Sequence, residues 1–197
     1  MQHDPLQQFE IWYQDALEAQ ARGELKMPDA MSLATSSADG KPSSRMLLFK
    51  GLLGGGFSFY TNFESRKCRD IFANPNGALL FYWPGLERQV RIEGRIEKLS
   101  DAESDRYWNT RPRESNLGAW ASQQSAPVAD RATLLRQVEA ISKQYGNEKP
   151  LPRPEFWGGF KLLPAEIEFW MAGEFRLHDR FRYKKSKNGW QQTRLSP

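Results

Sequence analysis

The chain has 197 residues, 39% hydrophobic and 13% aromatic, with a formal net charge of +4. That suits one domain, or one domain with appended helices, and the single cysteine, Cys68, excludes an intrachain disulfide and fits a reducing compartment. The longest apolar run, residues 78–83, is far too short to cross a bilayer, and the opening M-Q-H-D-P lacks the layout of a secretion signal, so a soluble cytoplasmic protein with no membrane partner is expected.

Asp4 followed by Pro5 is a helix start: a capping side chain ahead of proline at the first helical position. Leu6, Phe9, Tyr13, Ala16 and Leu17 fall on one face, which predicts an amphipathic helix over residues 5–21. Residues 31–37 read as a strand, Asp39-Gly40 as a hairpin turn and residues 43–51 as the returning strand. The Gly54–Gly56 cluster makes a further turn before a strand at 57–61. Ser65 is placed to cap a short helix running to about Ala73, ended by Asn74-Pro75. Residues 77–83 predict a buried strand. Residues 87–99 predict a long one, with Val90, Ile92 and Ile96 inward and Arg91, Glu93, Arg95 and Glu97 outward.

Ser100 and Glu103 form a capping box that opens a helix to about Thr110, stopped by Arg111-Pro112. Residues 116–121 read as one more helical turn. Residues 129–145 make an amphipathic helix with Leu134, Leu135, Val138 and Ile141 inward and Gly146 as its C-cap. After a proline-marked loop at 147–154, strands are expected at 158–163, 167–171 and 175–183, with a last one at 190–195 beyond an Asn188-Gly189 turn. Closely spaced strands with helices inserted, rather than alternating with them, predict a mainly β fold: an antiparallel barrel with flanking α-helices. Closure into a barrel also removes exposed sheet edges.

The segment 175–183 organises the functional reading. As a strand it places Arg176, His178 and Arg180 on one side. Two guanidinium groups and an imidazole, with no carboxylate between them on that face, suit an anion or an electron-rich ring. Other chemistry is missing from the sequence. No G-x-G-x-x-G follows a strand, and there is neither a P-loop nor a G-x-S-x-G elbow. Cys68 and His178 cannot supply a zinc site of the usual spacing, so no metal is expected.

The remaining cations are dispersed, and each alone reads as surface charge. Ser65-Arg66-Lys67 lies at a predicted helix N-terminus, where backbone N–H groups favour an anion. Arg111 and Ser115 lie just beyond another helix. Arg45 and Lys50, five residues apart, point to opposite faces of a regular strand, so one pocket can hold both only at a bulge or strand end. No contiguous basic stripe is present, and nucleic acid is not expected as a partner.

Taken together the motifs form a pattern. R-M-L-L-F-K (45–50), F-Y-T-N (59–62), S-R-K (65–67), L-E-R-Q-V (86–90), R-P-R-E-S (111–115), G-A-W-A-S-x-Q-S (118–125), F-W-G-G-F (156–160), I-E-F-W (167–170) and R-L-H-D-R (176–180) occur in order. This ordered set resembles the pyridoxamine 5′-phosphate oxidase family over nearly the whole chain after about residue 25, and R-L-H-D-R is its most telling member.

The resemblance implies a split β-barrel homodimer with FMN bound at the dimer interface. FMN contacts would come from Arg45, Met46, Leu47, Leu48, Phe49, Lys50, Tyr60, Thr61, Arg66, Lys67, Gln89, Gln124, Ser125, Trp170 and Arg180. Substrate phosphate would meet Lys50, Tyr107, Arg111 and Ser115, while Arg176 and His178 would be the catalytic pair holding the pyridine ring against the flavin. The implied substrates are pyridoxamine and pyridoxine 5′-phosphate with dioxygen, and the products pyridoxal 5′-phosphate and hydrogen peroxide. The flavin would take the hydride, and the protein would supply orientation and charge. Arg176 is expected to matter most, because its plane can stack on the ring. Ala172 and Phe175 depart from the family pattern and would reshape the substrate mouth. Two alternatives stay open: a split-barrel oxidase of the phenazine-biosynthesis type, against which R-L-H-D-R argues, and a non-catalytic FMN carrier, which would not need a second phosphate pocket.

Overall fold

The computed structural model of the chain describes residues 1–146 and 150–197. Residues 147–149, the start of the expected proline-marked loop, lie outside the described residues. Helix α1 (Pro5–Ala21) begins as its sequence dictates, with the Asp4 carboxylate accepting from the Leu6 amide at 2.9 Å. Its apolar stripe buries Phe9, Trp12, Ala16 and Ala19. The Phe9 ring lies 5.4 Å from Phe49, 4.8 Å from Phe57 and 5.0 Å from Phe81, so α1 covers an aromatic core.

That core belongs to an antiparallel sheet. Its strands are β1 (Ala30–Ser36), β2 (Pro42–Leu48), β3 (Leu52–Leu53), β4 (Gly56–Asn62), β5 (Asn76–Trp83), β6 (Arg88–Lys98), β7 (Trp157–Met171), β8 (Asp179–Ser186) and β9 (Gly189–Leu195). They run in the order β2-β1-β5-β6-β7-β4-β3, with β8 beside β7 and β9 beside β8. The chain after β2 closes the circuit. The Lys50 amide donates to the Ser58 carbonyl at 2.9 Å, and the Ser58 amide to the Gly51 carbonyl at 3.0 Å. This ties the β2 end of the order to β4 and makes the expected barrel.

Several expectations need correction. Residues 158–163 and 167–171 are not two strands but one, β7. Its first half pairs with β4, its second half with β8, and residues 160–171 with β6. A bulge at Glu93/Gly94, opposite Pro164, absorbs the irregularity that read as a break. The 43–51 strand ends at Leu48, and this strand end supplies the turn that Lys50 requires.

Helix α4 (Arg113–Ala121) is longer than the single turn expected, and α5 (Arg131–Tyr145) starts two residues late at its Asp130 cap. Leu135 of α5 does not face inward; it is 58% exposed. Val138 and Ile141 alone of the expected face join Trp108, Leu117, Leu151 and Trp157 in a second small core. The largest correction is at 175–183, where strand β8 begins only at Asp179. Residues Glu174–Arg176 form a tight turn instead, with Phe175 and Arg176 left-handed at φ 55° and 65°.

Candidate functional site

A cleft of about 700 Å³ opens where β2, β4, α3 (Asp101–Trp108) and α4 meet. Met46, Leu47, Leu48, Lys50, Tyr60, Thr61, Tyr107, Arg111, Ser115 and Gln124 all line it, so ten sequence-predicted residues converge there. Local structure explains the convergence. Gly158 and Gly159 of β7 leave room for aromatic rings laid across the strand: a Cβ would come within 2.5 Å of Phe63 and 2.7 Å of Tyr60. Tyr60 then stacks on Tyr107 with centroids 3.9 Å apart, and on Trp157 at 5.6 Å. The Ser100–Glu103 capping box fixes the start of α3, the helix that carries Tyr107.

Arg111 is the cleft's central cation. Its guanidinium lies 4.5 Å from the Trp157 ring centroid and 5.2 Å from that of Trp108, held by two indoles. One of its nitrogens, Nη2, donates to the Ser115 carbonyl at 3.0 Å. The other, Nη1, is buried with no hydrogen-bond partner among the described residues. Burial lowers the Arg111 pKa, which marks a cation short of counter-charge. Lys50 is tethered by an ion pair to Asp29 at 3.0 Å. Burial, then the neighbouring Tyr107, raises the Tyr60 pKa, so its phenol stays protonated.

A second hollow of about 360 Å³ adjoins the first through Met46, Leu47 and Gln124 and is otherwise lined by Ser43, Arg45, Arg66, Lys67 and Ser125. Lys67, buried on α2 (Arg66–Ala73), donates to Gln124 Oε1 at 2.8 Å, Thr61 Oγ1 at 2.9 Å and Ser65 Oγ at 3.0 Å. Ser65 thus heads α2 but gives its hydroxyl to Lys67 rather than to the helix. Burial pushes the Lys67 pKa below the ordinary lysine value. Arg45 is fixed by Thr35, Ser43 and the Leu33 carbonyl at 2.7, 2.7 and 3.1 Å, with Asp70 3.9 Å away. Phe49, expected as a cofactor contact, lines neither hollow. Its side chain is buried in the barrel core.

The other predicted residues lie elsewhere. Gln89, Trp170 and Arg180 are register partners on β6, β7 and β8, so their side chains share the sheet's outer face. His178 folds back onto this group, its ring 4.7 Å from Trp170 and its Nδ1 accepting from the Gly173 amide at 3.2 Å. Arg176 projects into solvent from the preceding turn. Among the described residues none of these five lines either hollow, so one chain does not unite Arg176 and His178 with Lys50. The expected alternation of Arg176, His178 and Arg180 on one strand is also lost, because β8 starts after His178.

Sequence reasoning missed several residues. Trp157, inside the F-W-G-G-F motif, is both a cleft wall and one of the indoles on Arg111. Trp108 is the second. Asp29, Asp70 and Glu168 hold Lys50, Arg45 and Arg180 respectively. Trp157 was within reach from its motif; the carboxylates are brought in by the fold, and nothing in their local sequence marks them.

Fold and hollows together define a split-barrel protein with an aromatic-walled, cationic small-molecule cleft. The family model described as pyridoxamine 5′-phosphate oxidase matches residues 17–145, and that of the pyridoxine 5′-phosphate oxidase C-terminal dimerisation region matches residues 157–197. The chain belongs to the pyridoxamine 5′-phosphate oxidase family. A pyridoxine/pyridoxamine 5′-phosphate oxidase of Burkholderia lata is 52% identical over 99% of this chain and 90% of its own length. A namesake from Burkholderia cenocepacia is 52% identical over 98% and 89%. Among solved structures, PhzG from Burkholderia lata, in complex with tetrahydrophenazine-1-carboxylic acid, superposes with a TM-score of 0.91 at 32% identity, covering 100% of this chain and 94% of that one. An FMN-binding protein of Nostoc punctiforme shares the fold at a TM-score of 0.68 and 18% identity, over 86% and 88%.

Proposed function

We propose that this protein is an FMN-dependent oxidase that converts pyridoxamine 5′-phosphate and pyridoxine 5′-phosphate to pyridoxal 5′-phosphate, as a homodimer with two shared sites. The carrying observation is Arg111 Nη1: a buried, unpartnered donor in the same cleft as Lys50, Tyr107 and Ser115. A half-buried cation with a spare donor, beside a hydroxyl and an ammonium, is prepared for a phosphate. The second hollow offers Arg45, Arg66 and Lys67 for another. Two anion receptors joined by aromatic and aliphatic walls match a phosphorylated flavin lying against a phosphorylated pyridine.

Bound FMN would supply a two-electron acceptor that dioxygen restores, releasing hydrogen peroxide. The residues of this chain supply position. Arg111, Lys50 and Ser115 would anchor the substrate phosphate, and this fixes how deep the ring sits. Tyr60 and Tyr107 would keep water from the ring. Gln89, Trp170 and Arg180 of one copy would reach the cofactor held by Arg45, Arg66 and Lys67 of the other. Arg176 and His178 would cover the substrate from the same direction.

The outer face supports this two-copy reading. Met46, Ser32, Leu80, Arg91, Glu168 and Arg182 form one cross-strand row, and Tyr82, Gln89, Trp170 and Arg180 the next. Met46 and Tyr82 on that face are exposed, as the face of an isologous contact is in an isolated chain.

The test is an absorbance spectrum of the purified protein, followed by pyridoxamine 5′-phosphate under nitrogen. Bleaching of flavin bands, with peroxide released on admitting air, is the expected result. A flavin that pyridoxamine 5′-phosphate leaves oxidised contradicts the proposal. The likeness to PhzG favours one second reading, oxidation of a polycyclic carboxylic acid in the same cleft. Bleaching by a dihydrophenazine acid and not by the B6 phosphates would establish it.

A further inference from the structure

On the outer face one carboxylate is surrounded by arginines. Glu168 of β7 is 3% exposed, although its strand faces solvent on that side. Its two oxygens accept from Arg180 Nε at 2.8 Å and Nη2 at 3.1 Å, a bidentate fork. Arg91 Nη2 donates to the same Oε2 at 3.2 Å, and Arg182 sits directly opposite Glu168 in the register. The third arginine nitrogen of Arg180, Nη1, is held by the Ser196 carbonyl at 3.0 Å. All three guanidinium nitrogens of Arg180 are therefore engaged, and its plane has one orientation.

We propose that Glu168 is a positioning residue for the cofactor: it fixes the Arg180 guanidinium in the orientation that meets FMN across the contact between two copies. This rests on the reading above, in which Arg180 is a flavin contact. Left alone among Arg91 and Arg182, a long cationic side chain would swing away from its like-charged neighbours and lose entropy on binding. Glu168 removes that loss before the ligand arrives. The pKa of Arg180 is raised chiefly by its hydrogen bonds to Glu168, in keeping with a locked pair. Glu168 touches no reacting atom in this account and is not a catalytic residue.

The test is a double-mutant cycle on the full chain freed of flavin, read by FMN titration through flavin fluorescence, with the melting temperature of each apoprotein alongside. Arg180→Ala and Glu168→Gln should each weaken FMN binding about tenfold, the scale of one charged hydrogen bond. The double variant should bind as Arg180→Ala does, and Glu168→Asp, which keeps the charge, should recover part of the loss. Should Glu168→Gln fail to fold, Glu168→Asp takes its place in the cycle, with a smaller loss expected and the double variant still binding as Arg180→Ala does. If Arg180→Ala weakens FMN while Glu168→Gln does not, or if the two losses add, the positioning role is overturned and the flavin reading survives. An Arg180→Ala variant that binds FMN unchanged overturns that reading for Arg180, and the inference with it.

Discussion

Arg111 shows how a single residue acquires a task from its surroundings. Against Trp108 and Trp157 it keeps its charge without a carboxylate, and its Nη1 has no hydrogen-bond partner among the described residues. Arg111→Ala should lower kcat/KM for pyridoxamine 5′-phosphate roughly 10- to 100-fold, mostly through KM, the scale of a charged hydrogen bond. Arg111→Lys should not restore it, because an ammonium lacks the planar fork of a guanidinium. Steady-state kinetics with phosphorylated and unphosphorylated substrate checks this, since the loss should be confined to the former.

Lys67 carries a pH prediction. Burial lowers its pKa below 10.5, so at alkaline pH between the two values the unfolded chain binds more protons than the folded one. The stability of the flavin-free protein should therefore gain from Lys67 as pH rises through that window, while FMN affinity should fall there as the ammonium deprotonates. Titrations of FMN against pH for the native chain and Lys67→Met would show the fall in the first and its absence in the second. Arg176 makes no contact with the cofactor hollow of its own chain, and Arg176→Ala should cut kcat/KM at least about tenfold more than it weakens FMN binding.

At the scale of elements, the turn between β7 and β8 decides what the catalytic candidates can do. Phe175 and Arg176 are left-handed, a conformation costly for residues with a side chain, and Phe175 is 91% exposed. The turn is closed by the Leu177 amide donating to Glu174 and the Gly173 amide donating to His178. A Cβ on Gly173 would lie 2.1 Å from the Leu177 carbonyl oxygen. Gly173→Ala should therefore displace the Arg176–His178 segment and lower kcat/KM, with little change in FMN affinity; equal kinetics would show that the turn does not matter. At α3 the interaction is local: Ser100→Ala removes a capping box and should cost about 1 kcal/mol of stability, read as a lower denaturation midpoint.

Such elements also show what sequence can reveal. Caps and periodic stripes are local: Asp4-Pro5 and Ser100–Glu103 appear where the sequence puts them, and the apolar face of α1 buries Phe9 and Ala16 of the expected set along with Trp12 and Ala19. The turn at 172–178 is set by a backbone clash avoided at one glycine and an amide bonded to an imidazole five residues on. An alternating pattern of side chains carries no mark of either, so a strand was the natural reading. The cleft residues were legible as a set because ordered motifs report the fold that gathers them. Their carboxylate partners were not, because Asp29, Asp70 and Glu168 meet their cations only after strands from distant segments pair.

For the whole molecule, the division of the candidate site is the central fact. One chain gathers Lys50, Tyr107, Arg111 and Ser115 in its cleft, with Arg45 and Lys67 beside it, and carries Gln89, Trp170, His178 and Arg180 on another face. Under the proposed function the second set would serve a site only when another copy presents it. The barrel makes this arrangement rigid, since β7 pairs with β4 under the cleft and with β8 under the outer face. Complementation tests this most directly. Arg111→Ala and Arg176→Ala proteins, each impaired at least about tenfold in kcat/KM, are mixed, unfolded, refolded together and assayed with substrate well below KM. Random pairing should restore about a quarter of native turnover, because each mixed dimer regains one intact site. A refolded mixture no more active than its parents would contradict a site shared between two copies.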